Sequence, residues 1–487
     1  MKTSSPLFRA IVFCGVLGQS VVQAQHPGKK PAYSVEAGAF LSTAGTNPFW
    51  IRSNEYGEIP LKSPGFTLRA QMRKEYDSVA TKKFSYGYGA RAVLNVGSTN
   101  QVLLSEIYGK LRYRAFELSA GRRREIQGLA DTTLSSGSYI WSGNALPIPK
   151  VEISLPTYTR ILKNGLIAVK GNFAHGWFGT GDSIRNYFLH QKSLYLRIGK
   201  PTWRFKFYGG FNHQVQWGGT LLYPRIDRGV TITKYGSDLE SYLYVVGAKS
   251  LYTQDLVIQN GKASAEGGNR VGNHLGTFDL GLEYEGNTTK WFLYRQSIYE
   301  DGSLYHLNNI ADGLLGLSLS RKQATRGVLR LVLEYLNTTS QGGPYPSSIG
   351  GDDRLRGRDD YFNNGRYIDG WTYKGQTIGT PFIMPLRYTT GLPQNLALNP
   401  NLIINNRVKA FMVAVKSRIS NVDFVTRLSV SENLGNYDLP LTFHQTSLQQ
   451  SVVFAYHQYT FHTTVAYDSG GLLKQNVGVS LLAKRSF

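Results

Sequence analysis

Apolar residues recur through this chain at alternate positions, and no run after the N-terminus reaches the ~20 apolar residues a helix needs to cross a bilayer. Gln475 to Phe487 shows the pattern best. Val477, Val479, Leu481, Ala483 and Phe487 share one face, while Gly478, Ser480, Lys484 and Ser486 share the other. Such alternation makes a strand with one apolar side. A last strand ending on an aromatic is expected of an outer-membrane barrel, where that strand closes the sheet and the ring joins the interfacial girdle. A soluble β-protein that ends on Phe is the competing reading.

The same pattern recurs upstream. Trp203, Phe205, Phe207 and Phe211 alternate with Arg204, Lys206 and Tyr208. Phe278, Leu280, Leu282 and Tyr284 alternate with Asp279, Gly281 and Glu283; Val422, Phe424, Leu428 and Val430 alternate with Asp423, Arg427 and Ser429. A barrel turns such charges into its lumen, whereas a sandwich turns them to water. The connectors separate the two. Short links (His457-Gln458-Tyr459, Ser420-Asn421, Arg321 to Thr325, Gly286-Asn287-Thr288, Gly199 to Thr202, Lys163-Asn164-Gly165) alternate with long ones at 469–474, 433–447, 337–406, 300–312, 251–273, 213–226 and 175–189. Alternation gathers the long links at one end, the arrangement of outer-membrane proteins and not of Greek-key sandwiches. The expected fold is all-β: a closed antiparallel transmembrane β-barrel of about 18 strands, within a range of sixteen to twenty. Segment 123–148, with Ser135-Ser136-Gly137-Ser138, Pro147 and Pro149, breaks strand pairing.

Lys2 and Arg9, the apolar stretch Ala10 to Leu17 and Val22-Gln23-Ala24 read as a signal peptide over residues 1–24, ahead of a single domain over 25–487. This predicts export to the outer membrane of a Gram-negative bacterium. The one cysteine, Cys14, falls inside that segment, which leaves no thiol for disulfides or metal. The net charge is +22, and loss of Lys2 and Arg9 leaves +20. Such a field favours polyanions. For an exported chain these are lipopolysaccharide phosphates or acidic polysaccharide; no nucleic-acid partner is expected.

The connector at 337–406 far exceeds a hairpin link, and loops of that length are functional or disordered. It is rich in aromatics, among them Tyr361, Tyr367, Trp371 and Tyr373, beside the charged run Asp352, Asp353, Arg354, Arg356, Arg358, Asp359 and Asp360. Aromatic faces stack on sugars, while Arg and Asp bond carboxylates and hydroxyls. These eleven residues are the candidate polysaccharide site; a folded plug or lid with internally paired charges is the alternative. Catalysis finds little footing. Gly181-Asp182-Ser183 is similar to one lipase nucleophile block but falls in an expected outer loop, and no histidine and carboxylate are spaced to complete a triad. No metal motif or cofactor fingerprint is present, so no enzyme activity, cofactor or metal is expected.

Three blocks carry a family likeness: Asn47-Pro48-Phe49-Trp50, the stretch Ser138 to Lys150, and Asp360-Tyr361-Phe362-Asn363-Asn364 continuing through Gly370-Trp371-Thr372-Tyr373 to Phe382. Together they resemble the Wzi-type capsule assembly family. That resemblance implies an eighteen-stranded barrel, an occluded lumen with a helical bundle at its periplasmic end, and a lectin-like role in attaching capsular polysaccharide. The first 165 residues contain no convincing amphipathic helix bundle, so the long outer loop is the alternative seal. The expected partners are capsular or other surface polysaccharide, outer-membrane lipid and lipopolysaccharide, and the barrel-insertion machinery acting on the strand that ends at Phe487. The expected state is a monomer, and a porin or oligosaccharide channel is the competing function.

Overall fold

A computed structural model describes residues 30–76, 83–227, 230–249, 270–300, 307–345, 357–397 and 402–487. In chain order the elements are β1 (Ala32–Ser42), α1 (Phe49–Arg52), β2 (Gly65–Lys74), β3 (Phe84–Gly97), β4 (Gln101–Tyr113), β5 (Phe116–Arg122), β6 (Lys150–Arg160), β7 (Ile167–Thr180), β8 (Ile184–Ile198), β9 (Phe205–Trp217), β10 (Thr220–Asp227), β11 (Val230–Lys234) and α2 (Leu239–Gly247). They continue with β12 (Asn273–Glu285), β13 (Thr289–Glu300), β14 (Gly313–Arg321), β15 (Gly327–Asn337), β16 (Thr372–Tyr373), β17 (Gln376–Thr377), β18 (Val408–Ile419), β19 (Val422–Gly435), β20 (Pro440–Tyr456), β21 (Tyr459–Gly470) and β22 (Asn476–Ser486).

Strands β1 to β9, β12 to β15 and β18 to β22 pair antiparallel in succession, and β22 returns to β1 from Ser42↔Gly478 to Ser34↔Ser486. The product is a closed barrel of 18 strands. Closure is what lipid demands, because hydrocarbon offers a strand edge no hydrogen-bond partner.

The alternation seen in the sequence becomes the two sides of the wall. Phe205, Phe207, Phe278 and Leu280 are exposed on the outer face. Between them Lys206 turns inward and bridges Glu283 at 3.0 Å and Glu285 at 2.8 Å. At the periplasmic rim Tyr33, Phe84, Tyr113, Phe116, Tyr459 and Phe487 expose their rings and form a girdle.

The link lengths depart from expectation in three places. Residues 175–189 are not a long loop: β7 and β8 run through most of them and only 181–183 connect the strands. Likewise β19 and β20 consume most of 433–447, leaving a turn at 436–439. Conversely, 213–226 and 251–273 belong to one excursion, 218–272, whose hairpin β10–β11 attaches to β8 through Thr220↔Arg185 and Leu221↔Ile184 and stays outside the barrel circle. With that hairpin counted, the sheet reaches the upper bound of twenty strands. The sorting itself holds: 43–64, 123–149, 218–272, 301–312 and 338–407 all leave from the extracellular end of the wall.

Helix α2, from the same excursion, lies on the outside of the wall. His175, His190, Lys192, His213 and His274 occupy outward positions on β7, β8, β9 and β12, where bare lipid would leave them unsolvated. Tyr242 covers the first two, with its ring 5.7 Å from those of His175 and His190 and 5.2 Å from Trp217, while His213 stacks on His274 at 5.0 Å. The Lys192 ammonium donates to the carbonyl of Val246. Asp238 caps the helix by accepting from the Ser241 N–H at 2.8 Å.

Leu280 sits midway along β12 and is 54% exposed on the lipid face. The substitution Leu280→Arg is expected to lower the unfolding free energy by about 2–4 kcal/mol, the cost of Arg near the bilayer midplane. Urea titration of the barrel in lipid vesicles measures it.

Candidate functional site

The three blocks that carry the family likeness meet inside the barrel. Segment 43–64 enters from β1, 123–149 enters where β5 stops short, and 357–397 folds down from β15. Their aromatics form one buried cluster. Phe382 lies against Phe49 at 5.4 Å and Trp50 at 6.0 Å between ring centroids. Tyr139 packs on Phe362 at 4.9 Å, and Trp141 meets Trp371 edge-on at 6.2 Å. Side chains bonded to backbone carbonyls stitch the segments: Trp371 Nε1 donates to the carbonyl of Ile140 at 2.8 Å and Ser142 Oγ donates to that of Gly379 at 2.6 Å. This is an apolar core, completed by Tyr294, Leu314, Val332 and Met412 of a wall whose inner face also carries many buried polar residues.

Wall and plug are joined by buried carboxylates and amides. Glu334 on β15 accepts from Ser135 Oγ and the Ser136 N–H, each at 2.6 Å. Gln296 on β13 accepts from the Tyr139 N–H at 2.8 Å, and Asp468 on β21 accepts from that of Phe49 at 2.8 Å. Asp131, from the plug side, accepts from Ser318 Oγ at 2.6 Å and pairs with Arg330 at 2.5 Å. Ser318 and Arg330 lie close to the periplasmic ends of β14 and β15, so the plug reaches nearly the full height of the lumen.

Glu58 carries the densest of these contacts. It accepts from Arg91 Nε at 2.9 Å and Nη2 at 3.1 Å, from Ser105 Oγ at 2.6 Å and from the Arg124 guanidinium, with Arg69 Nε 3.8 Å away. It therefore ties two plug segments to β2, β3 and β4. Burial alone would raise its pKa, but Arg124, Arg91 and Arg69 outweigh that and hold it at about 2.

The expected site residues divide three ways. Asp352, Asp353, Arg354 and Arg356 lie outside the described residues. Tyr361, Tyr367 and Trp371 are 0% exposed and Tyr373 is 3% exposed, so their faces belong to the plug core and offer no surface to a polymer. Tyr361 Oη donates to Asp312 at 2.9 Å, which fixes its ring from behind. Arg358, Asp359 and Asp360 stay at the outer rim: Arg358 pairs with Asp438, Asn309 donates to Asp359 at 2.6 Å, and Asn363 donates to Asp360 at 3.0 Å. The seven described residues thus divide between the plug core and the outer rim. Ser183, in the link between β7 and β8, holds Asp369 through backbone N–H groups at 2.9 and 3.2 Å from Asp182 and Ser183. That gives the Gly-Asp-Ser block a structural use.

A helical bundle at the periplasmic end, implied by the family likeness, is absent among the described residues: α1 spans 4 residues, α2 lies outside, and the remaining helical turns are Leu386–Tyr388 and Gln394–Leu396. Loops do the filling instead. Glu58, Asp131 and Glu334 were not singled out in the sequence, where nothing distinguishes an acid that docks a plug from one that faces water. Among the described residues no group of three His, Cys, Asp or Glu side chains is placed to hold a metal.

Because the folded pKa of Glu58 lies below the ordinary 4.5, its contribution to plug docking is complete above that value and is lost as the pH falls to about 2. The depression corresponds to about 3 kcal/mol. Glu58→Gln is expected to remove an effect of that order and to deprive Arg91 and Arg124 of their closest carboxylate, while Arg69 keeps Glu36 at 2.6 Å. Limited proteolysis of 43–64 across pH 5 to 2 is expected to show a protected wild type that opens on acidification and a variant already cut at pH 5.

The family described as "Capsule assembly protein Wzi" matches residues 44–383, which include all three plug segments. No curated protein matches the sequence. Solved structures similar in architecture include Pseudomonas aeruginosa OccK5 (OpdH), with 9% identity, 94% of this chain and 98% of that chain covered and a TM-score of 0.46. Pseudomonas aeruginosa OpdQ has 9% identity, 94% and 99% coverage and a TM-score of 0.46. Acinetobacter baumannii OccAB4 has 8% identity, 94% and 98% coverage and a TM-score of 0.43. With an 18-stranded wall, a filled lumen and a match over most of its length, this chain is an outer-membrane member of the Wzi capsule-assembly family.

Proposed function

We propose that the protein is a sealed outer-membrane anchor that holds surface polysaccharide, capsular where the cell makes a capsule, on its extracellular loops. One observation carries this reading: the three family blocks are spent on an apolar core that fills the lumen, so a polymer is left the outer face and not a passage. The family description, capsule assembly, agrees with a surface role.

The contacts we assign to the polymer are the charged run Asp352, Asp353, Arg354, Arg356, Arg358, Asp359 and Asp360, without the aromatics of the plug. Arginine forks suit sugar carboxylates, and the neighbouring acids suit hydroxyls. Each contact is weak, and a polymer that repeats its epitope gains through effective concentration. A barrel that closes on itself needs no second copy, which supports a monomer. The C-terminal strand β22, before it pairs with β1, offers the insertion machinery its handle, and residues 1–24 act as the export signal.

Two measurements test the reading. In planar bilayers the intact protein is expected to show almost no ion conductance; steady single-channel currents would favour a porin or oligosaccharide channel instead. On a glycan array, the variant R354Q/R356Q/R358Q is expected to lose binding to acidic polysaccharide by at least about tenfold, the effect of roughly one good ionic contact. Retention of full binding would remove the charged run as the site.

A further inference from the structure

The barrel wall is incomplete near its outer rim. Strand β5 spans only 7 residues and meets β4 from Ile107↔Arg122 downward, so Gln101 to Glu106 of β4 pair with β3 alone. Across the gap, β6 begins at Lys150 opposite Gly176, leaving Phe178 to Thr180 of β7 without a neighbour on that side. The chain missing from the wall is the segment that turns inward to build the plug.

A cavity of about 640 Å³ opens over this free edge. Its lining includes both the outward Val102 and Leu104 and the inward Gln101 and Leu103, so it passes from the lipid face to the plug. That volume lies within the range of ligand sites, about 300–1,000 Å³. Lys62, Arg122, Lys374 and Arg387 line it and no carboxylate does. Among the described residues none of the four forms an ion pair; Arg122 instead donates to Tyr373 Oη at 2.9 Å and the Leu104 carbonyl at 3.4 Å. Arg387 Nε is shielded from solvent and has no hydrogen-bond partner. Four like charges around one void repel each other and favour an anion.

Height identifies the source of that anion. Tyr113 stands in the periplasmic girdle and Val102 lies eleven residues up the same strand. That is about 37 Å along a strand, and about 28 Å of height at a tilt of about 40°. The apolar band is about 25 Å tall, so the mouth stands at the headgroup level of the outer leaflet. Beside and below it Leu94, Leu104, Ile107 and Leu111 expose an apolar face to lipid.

We propose that this side opening is a binding site for lipid A, with the phosphorylated disaccharide in the basic cavity and acyl chains along β3 and β4. Arg122 and Arg387 take phosphate oxygens as forks, while Lys62 and Lys374, both exposed at the mouth, take them as point charges. The site is separate from the charged run assigned to polysaccharide.

The test uses the full-length protein in detergent, with native mass spectrometry and thermal unfolding as readouts. Diphosphoryl lipid A is expected to bind one per barrel and raise the melting temperature; dephosphorylated lipid A and inorganic phosphate are expected to do neither at the same concentration. K62Q/K374Q, which alters two exposed side chains without described ion pairs, is expected to weaken lipid A binding at least about tenfold while keeping the ligand-free melting temperature. Unchanged lipid A binding in that variant would overturn the proposal. So would equal protection by inorganic phosphate, or by an acidic oligosaccharide that lacks acyl chains. Loss of glycan-array binding in R354Q/R356Q/R358Q with lipid A binding intact separates this site from the loop site.

Discussion

The seam between β1 and β22 is the contact on which the rest depends. Nine facing residue pairs, from Ser34↔Ser486 to Ser42↔Gly478, turn an open sheet into a cylinder. Without it two strand edges would face hydrocarbon, each unpaired amide or carbonyl costing several kcal/mol. Once the cylinder closes at eighteen strands, its bore is wide enough to pass water. The interior then has to be solvated or filled, and this protein fills it.

The filling explains the odd composition of the inner wall. Polar residues such as Glu334, Gln296 and Asp468 face inward as they would in an aqueous channel, yet they are buried. They are satisfied because irregular backbone in the plug presents N–H groups to them, at Ser136, Tyr139 and Phe49. Irregular chain at membrane depth is tolerated only where protein surrounds it. Wall and plug therefore solve each other's problem: loops supply donors to a polar wall, and the wall shields an aromatic core from water. Glu58 concentrates this exchange in one carboxylate held by guanidinium groups from β2, β3 and the second plug segment.

The same economy has a cost in the wall. Chain that turns inward after Arg122 is chain withdrawn from the barrel, and a notch remains beside β4. Elsewhere the outer surface is patched from without, as α2 covers His175 of β7 and His190 and Lys192 of β8. Function in this architecture accordingly concentrates at the outer rim and along the outer leaflet, where side chains remain accessible.

Strand, face and direction were legible in the residues themselves. Alternation at Phe205–Lys206–Phe207 or Phe278–Asp279–Leu280 assigns each side chain to lipid or lumen because a strand has no other way to segregate them. The break at 123–148 was legible too, since Gly, Ser and Pro exclude it from a ladder. Its destination was not. Whether Trp371 and Tyr361 stack on a sugar or on Trp141 and Tyr139 depends on which loops share the bore, a matter of contacts more than 200 positions apart. Aromatic surface is equally suited to both uses. Period-two chemistry is local and survives in the sequence; the burial of a loop depends on the volume that closure creates, and only the tertiary structure sets that volume.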